Sequence, residues 1–147
     1  MHCLPHRSDV GLLDSFMEQY DAYCTANQQF LETLSEVYKD GDLVIVCDYQ
    51  LMNLPALLRR RFPEIVCGFF LHCPFPSSEF YRMLPVRQSL LHGMLGAALV
   101  VFNHFDYVRH FLNACTRMLG LESSPSRIEY NGRLVSLGIC PMGINPD

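Results

Sequence analysis

No stretch of this chain is apolar for long enough to cross a bilayer. The two longest such runs, residues 65–71 and 94–102, fall well short of the about 18 consecutive apolar residues a spanning helix needs. No basic segment followed by an apolar core opens the sequence, so secretion is not expected. Charge is scarce too: charged residues make up 18%, with a formal net charge of −4. That balance leaves no sequence-wide attraction for nucleic acid or acidic membranes, and neither is expected as a partner. No Cys-x2-4-Cys pair occurs, which removes the recognised zinc patterns, and no metal is expected. The glycine-rich strand-to-helix turn that cradles phosphate, the P-loop and the Gly-x-Ser-x-Gly elbow are missing as well.

What is present is globular. Half of the 147 residues are apolar, and a chain of this length fits one domain with a substantial core. The seven cysteines (3, 24, 47, 67, 73, 115 and 140) are odd in number and scattered, unlike a disulfide framework. Several sit in apolar runs, so they read as buried reduced thiols of a cytoplasmic protein.

Apolar residues recur at helical spacing from Phe16 to Val37, predicting a helix over 14–38 with Asp14 as N-cap. Leu43-Val44-Ile45-Val46-Cys47 is a continuous apolar run of the kind that forms a parallel strand covered on both faces. A helix over 50–61 follows, ending in Arg59, Arg60 and Arg61, then a second buried strand over 65–71. Further helices are expected over 79–84, 86–96 and 104–119, the last closed by Gly120. A third strand is expected over 98–102. Segments 127–130 and 134–139, joined through Asn131-Gly132, read as a β-hairpin. Strands alternating with helices predict an α/β fold with a doubly wound, mostly parallel, Rossmann-like sheet.

In such a sheet, ligands bind just past the carboxyl ends of the strands. Polar residues stand at each of those positions: Asp48-Tyr49-Gln50, His72, and Asn103-His104. Asp48 suits two roles, accepting hydrogen bonds from a sugar hydroxyl or capping the helix that follows. His72 likewise suits donation to a substrate oxygen or satisfaction of loop carbonyls. Pro74-Phe75-Pro76 stiffens the loop after it. Arg59–Arg61 reads as a solvated helix end.

The run DLVIVCDYQLMNLP over 42–55, followed by GFFLHCPFPSSE over 68–79, resembles the trehalose-6-phosphate synthase family. Leu84-Pro85-Val86-Arg87, FDYVRHFL over 105–112 and Pro141-Met142-Gly143-Ile144 extend the resemblance from about residue 2 to the last. The resemblance implies a metal-independent, cofactor-free retaining glycosyltransferase of two Rossmann domains. It would move glucose from UDP-glucose to glucose 6-phosphate, with no enzymic nucleophile. By motif, Asp48 falls at the acceptor-binding aspartate of the family's HDYH motif. His72 falls at the catalytic-site histidine beside the transferred sugar. Tyr20 takes the place of an aromatic, usually tryptophan, that lines the acceptor pocket, and Cys73 stands at the pocket wall. Cys3 replaces the tyrosine of the family's HYLP motif, which contacts glucose 6-phosphate. HDYH itself is Cys47-Asp48-Tyr49-Gln50 here, without its two histidines. The family pattern places a strand before Met1 and a donor-binding domain after Asp147. The expectation is therefore an incomplete N-terminal, acceptor-side half of the enzyme, inactive alone. The alternative is a non-catalytic relative that binds sugar phosphate or associates with a full-length synthase.

Overall fold

A computed structural model describes residues 7–143. Six strands form one sheet in the order β1-β2-β3-β6-β5-β4. β1 (Leu43–Cys47), β2 (Val66–Leu71), β3 (Leu99–Phe102) and β6 (Arg133–Ile139) run parallel. β5 (Arg127–Tyr130) and the two-residue β4 (Ser123–Ser124) complete it antiparallel. The fold is α/β and mostly parallel. Asn131 and Gly132 take φ of 50° and 73°, the left-handed pair that a two-residue type I′ hairpin requires.

The parallel strands advance across the sheet in one direction, so right-handed crossovers carry their helices to one face. On that face Val46, Cys67, Phe69 and Val100 are at most 3% exposed. On the other, Leu43, Ile45, Val66 and Leu99 are 65%, 64%, 54% and 41% exposed. The apolar run of β1 is therefore covered on one face only among the described residues, not on both as its sequence suggests.

Helix α1 (Arg7–Val37) starts well before the expected position, leaving Asp14 inside the helix rather than at its cap. Gly11 is carried within it, at a cost of about 1 kcal/mol relative to alanine. The expected helix over 50–61 is two pieces, a single 3₁₀ turn (Tyr49–Leu51) and α2 (Leu54–Arg61). Pro55 has no N–H to donate, so it is accommodated in the first turn of a helix and not in the interior of a longer one. α3 (Ser78–Tyr81), α4 (Arg87–Met94) and α5 (Phe105–Leu119) follow. Gly120 ends α5 with φ of 66°.

The C-terminal end of α4 and the residues after it pack on the start of α2 through two glycines. A Cβ on Gly96 would run into the backbone N and Cα of Ala56, and one on Gly93 into the Met52 carbonyl. Among the described residues six cysteines are free thiols. Cys67 and Cys115 are buried as expected, and burial pushes their thiols up to about 11 and about 12. Cys47 and Cys140 are exposed, because one lies on the open sheet face and the other follows the end of β6.

Candidate functional site at the carboxyl ends of the strands

β1 continues for one residue beyond its last apolar position, since the Asp48 N–H donates to the Phe70 carbonyl at 2.8 Å. There the chain turns sharply. Asp48 has φ 70° and ψ 174°, a region occupied almost only by glycine and costing other residues about 1–3 kcal/mol. Its Oδ1 accepts from the Tyr49 N–H at 3.1 Å. Asp48 thus caps the 3₁₀ turn, while Oδ2 accepts no hydrogen bond from the described residues.

Two side chains of α1 hold that turn in place. The Tyr23 hydroxyl donates to the Tyr49 carbonyl and accepts from the Met52 N–H, both at 2.8 Å. Asn27, fully buried, donates to the Tyr23 and Gln50 carbonyls at 2.9 and 3.0 Å. Burial pushes the Tyr23 phenol up to about 12, keeping the proton it donates. Neither residue was singled out from the sequence, although their i, i+4 spacing places both on one face of α1.

β2 delivers His72 to the neighbouring rim. Its ring stacks on Phe70 at 4.3 Å between centroids, and its nitrogens have no hydrogen-bond partner among the described residues. The loop's polar satisfaction comes instead through the backbone, where the His72 carbonyl accepts from Asn103 Nδ2. That bond ties the ends of β2 and β3 together. The Cys73 thiol is half-buried and is pushed up by that burial and by the Asp48 carboxylate nearby. Beyond it, the buried Phe75 packs against Tyr81, Phe102 and Phe111 at 4.9, 6.0 and 5.4 Å, anchoring the Pro-Phe-Pro loop. His104 is structural, its Nδ1 capping α5 at the Asp106 N–H.

The structure therefore gathers Asp48, His72 and Cys73 at adjacent strand ends. Tyr20 lies on the helical side, its hydroxyl accepting from Asn53 Nδ2 at 3.1 Å. It lines an apolar groove of about 290 Å³ shared with Tyr49, and a mixed cleft of about 360 Å³ shared with Arg60 and His92. Burial raises its phenol above the ordinary value. Cys3 lies outside the described residues. Among those described, no three His, Cys, Asp or Glu side chains converge to hold a metal ion. A carboxylate oxygen and imidazole nitrogens without partners among the described residues therefore stand at this rim, able to accept or donate hydrogen bonds.

Residues 6–147 match glycosyltransferase family 20. The chain is 51% identical over 134 residues to the alpha,alpha-trehalose-phosphate synthase (UDP-forming) of Schizosaccharomyces pombe, covering 88% of this chain and 26% of that protein. It is 46% identical over 144 residues to a probable alpha,alpha-trehalose-phosphate synthase (UDP-forming) of Arabidopsis thaliana, covering 98% and 18%. Among solved structures, the N-terminal domain of Candida albicans trehalose-6-phosphate phosphatase superposes with a TM-score of 0.86 and 41% identity, over 88% of this chain and 28% of that one. An E. coli structure bound with UDP-2-fluoro glucose gives 0.81 and 27%, over 86% and 28%. The chain thus spans about a quarter or less of the length of these relatives.

Proposed function

The chain belongs to glycosyltransferase family 20, and from that premise we propose that it is the acceptor-side portion of a UDP-forming trehalose-phosphate synthase. Asp48 carries the reading. A residue held at φ 70° and ψ 174° is maintained against its own backbone preference, and such strain collects at ligand sites. Its free Oδ2 accepts from hydroxyls of glucose 6-phosphate, while Cys73 forms the adjacent wall. His72 stands beside the glucose that UDP-glucose donates, and an imidazole N–H donates to one of its hydroxyls. Tyr20 lines the acceptor side through the groove it shares with Tyr49.

These residues position substrate and do not attack it. Fixing acceptor and donor in reacting geometry is worth up to about 7–11 kcal/mol. Stabilisation of the departing UDP is the other large contribution, and we assign it to the portions of the longer relatives that this chain does not cover. Acceptor binding is then the part of that activity we assign to these 147 residues. The six free thiols support a cytoplasmic setting.

Calorimetric titration tests this reading. Glucose 6-phosphate should bind saturably to the folded chain, and Asp48→Ala should weaken that binding about tenfold or more. A folded chain that gives no saturable heat with glucose 6-phosphate, or an Asp48→Ala variant that binds it unchanged, contradicts it.

A further inference from the structure

Away from the strand ends, α3, α4 and α5 border an open cleft of about 390 Å³ lined by Ser78, Arg82, Arg87, Gln88, Arg117 and Met118. Three guanidiniums line one space in a chain whose formal net charge is −4. Each guanidinium has five N–H donors in a planar fork, and few are used here. Arg117 gives one N–H to Ser78 Oγ at 3.2 Å, and Arg87 gives one to the Leu84 carbonyl at 3.0 Å. The Arg82 guanidinium makes no hydrogen bond with the described residues, its backbone N–H alone donating to the Ser78 carbonyl at 3.1 Å. Among the described residues, the one acidic side chain paired with these arginines is Glu79, which is 3.7 Å from Arg82 and 3.5 Å from Arg117. Those are loose pairs between well-exposed side chains, of the kind that contributes little to stability.

We propose that this cleft binds a small-molecule phosphate monoester. Its dianionic head presents three equivalent acceptor oxygens, matched by arginine forks that bind in bidentate fashion. The volume falls in the range of small-ligand pockets, roughly 300–1,000 Å³. Gln88 holds the wall in place by donating to the Met118 carbonyl at 3.1 Å. The Ser78 hydroxyl, in a buried residue, sets the direction of Arg117. Glu79 is the internal competitor for the ligand, its carboxylate standing beside both Arg82 and Arg117. This site shares no wall with Asp48, His72 and Cys73.

The test is titration of the ¹⁵N-labelled full chain with inorganic phosphate, and separately with phenyl phosphate, at constant ionic strength. The readout is the side-chain Nε–Hε signals of the arginines. Saturable shifts at Arg82, Arg87 and Arg117, retained in Asp48→Ala, are expected. Arg82→Gln should weaken binding about tenfold. Glu79→Gln should tighten it, an outcome that a purely structural role for Glu79 does not produce. Shifts that never saturate or that spread over all arginines overturn the proposal. So does a Glu79→Gln variant with unchanged or weaker affinity. A phosphoserine peptide that binds far more tightly than phenyl phosphate overturns the small-molecule assignment.

Discussion

Replacing Asp48 by glycine should make the protein more stable while weakening the binding proposed for it. At φ 70° and ψ 174° the aspartate stores about 1–3 kcal/mol of backbone strain, which glycine does not carry. Two losses oppose that gain. Glycine gives up about 0.5–1 kcal/mol more backbone entropy on folding, and removing the cap to the Tyr49 N–H costs a few tenths, on the order of 0.3 kcal/mol, when glycine is the replacement. The balance favours Asp48→Gly by about 0–2 kcal/mol. Asp48→Ala keeps the strain and loses the cap, so it should be destabilised by about 0.5–2 kcal/mol. The two variants should therefore differ by about 2 kcal/mol. In urea unfolding followed by far-UV circular dichroism, with a slope of about 1–3 kcal/mol/M, that difference moves the midpoint by about 1 M. Both variants should lose glucose 6-phosphate affinity at the strand ends by about tenfold or more. An alanine variant as stable as the glycine variant would refute the strain argument, and with it the claim that this backbone is held for function.

Other consequences follow from packing and titration. Gly96→Ala should destabilise by about 1–3 kcal/mol or more, because the new methyl meets the Ala56 backbone, which cannot swing aside; a urea midpoint within error of wild type would contradict the α2–α4 contact. On β1, Val46→Ala removes a 3% exposed side chain and should cost about 1–3 kcal/mol. Ile45→Thr, at a position 64% exposed, should cost less than about 0.5 kcal/mol, and a larger loss would mean that the open face is covered in solution. Cys67 and Cys115 are raised from 9.0 to about 11 and about 12, so the folded state holds these protons more tightly than the unfolded one. Their contribution is complete below about pH 9 and is lost as pH rises towards their folded values. The urea midpoint should therefore fall between pH 9 and pH 11 in the wild type, and fall less steeply in a Cys67→Ala, Cys115→Ala double variant.

Much of the fold is legible because its signals are local. β1 is a pure apolar run, Asn131-Gly132 allows the two positive φ values of a tight hairpin, and Gly120 stops α5 in the left-handed region. The misreadings arise where a local signal competes with tertiary context. Gly11 looks like a breaker and is absorbed into α1. Pro55 splits what periodicity reads as one helix. The serine pair of β4 has no apolar pattern and becomes a strand only by pairing with β5. An apolar run reads as covered on both faces, because the sequence of one strand does not say how many helical layers surround it. At the site, Asp48 and His72 stand out as polar residues that end apolar strands. The backbone strain of Asp48 leaves no mark on composition, and the clamp by Tyr23 and Asn27 depends on contacts 26 and 23 residues away in the chain.

The most direct test of the account is where glucose 6-phosphate touches the protein. Two-dimensional ¹H–¹⁵N spectra of the folded chain, titrated with that ligand, should show saturating shifts centred on the amides of Asp48, Tyr49, His72, Cys73 and Asn103. At equal ligand concentration those shifts should be smaller in Asp48→Gly, whose fold remains intact. Shifts confined to other parts of the molecule, with the strand-end amides unmoved, would contradict it.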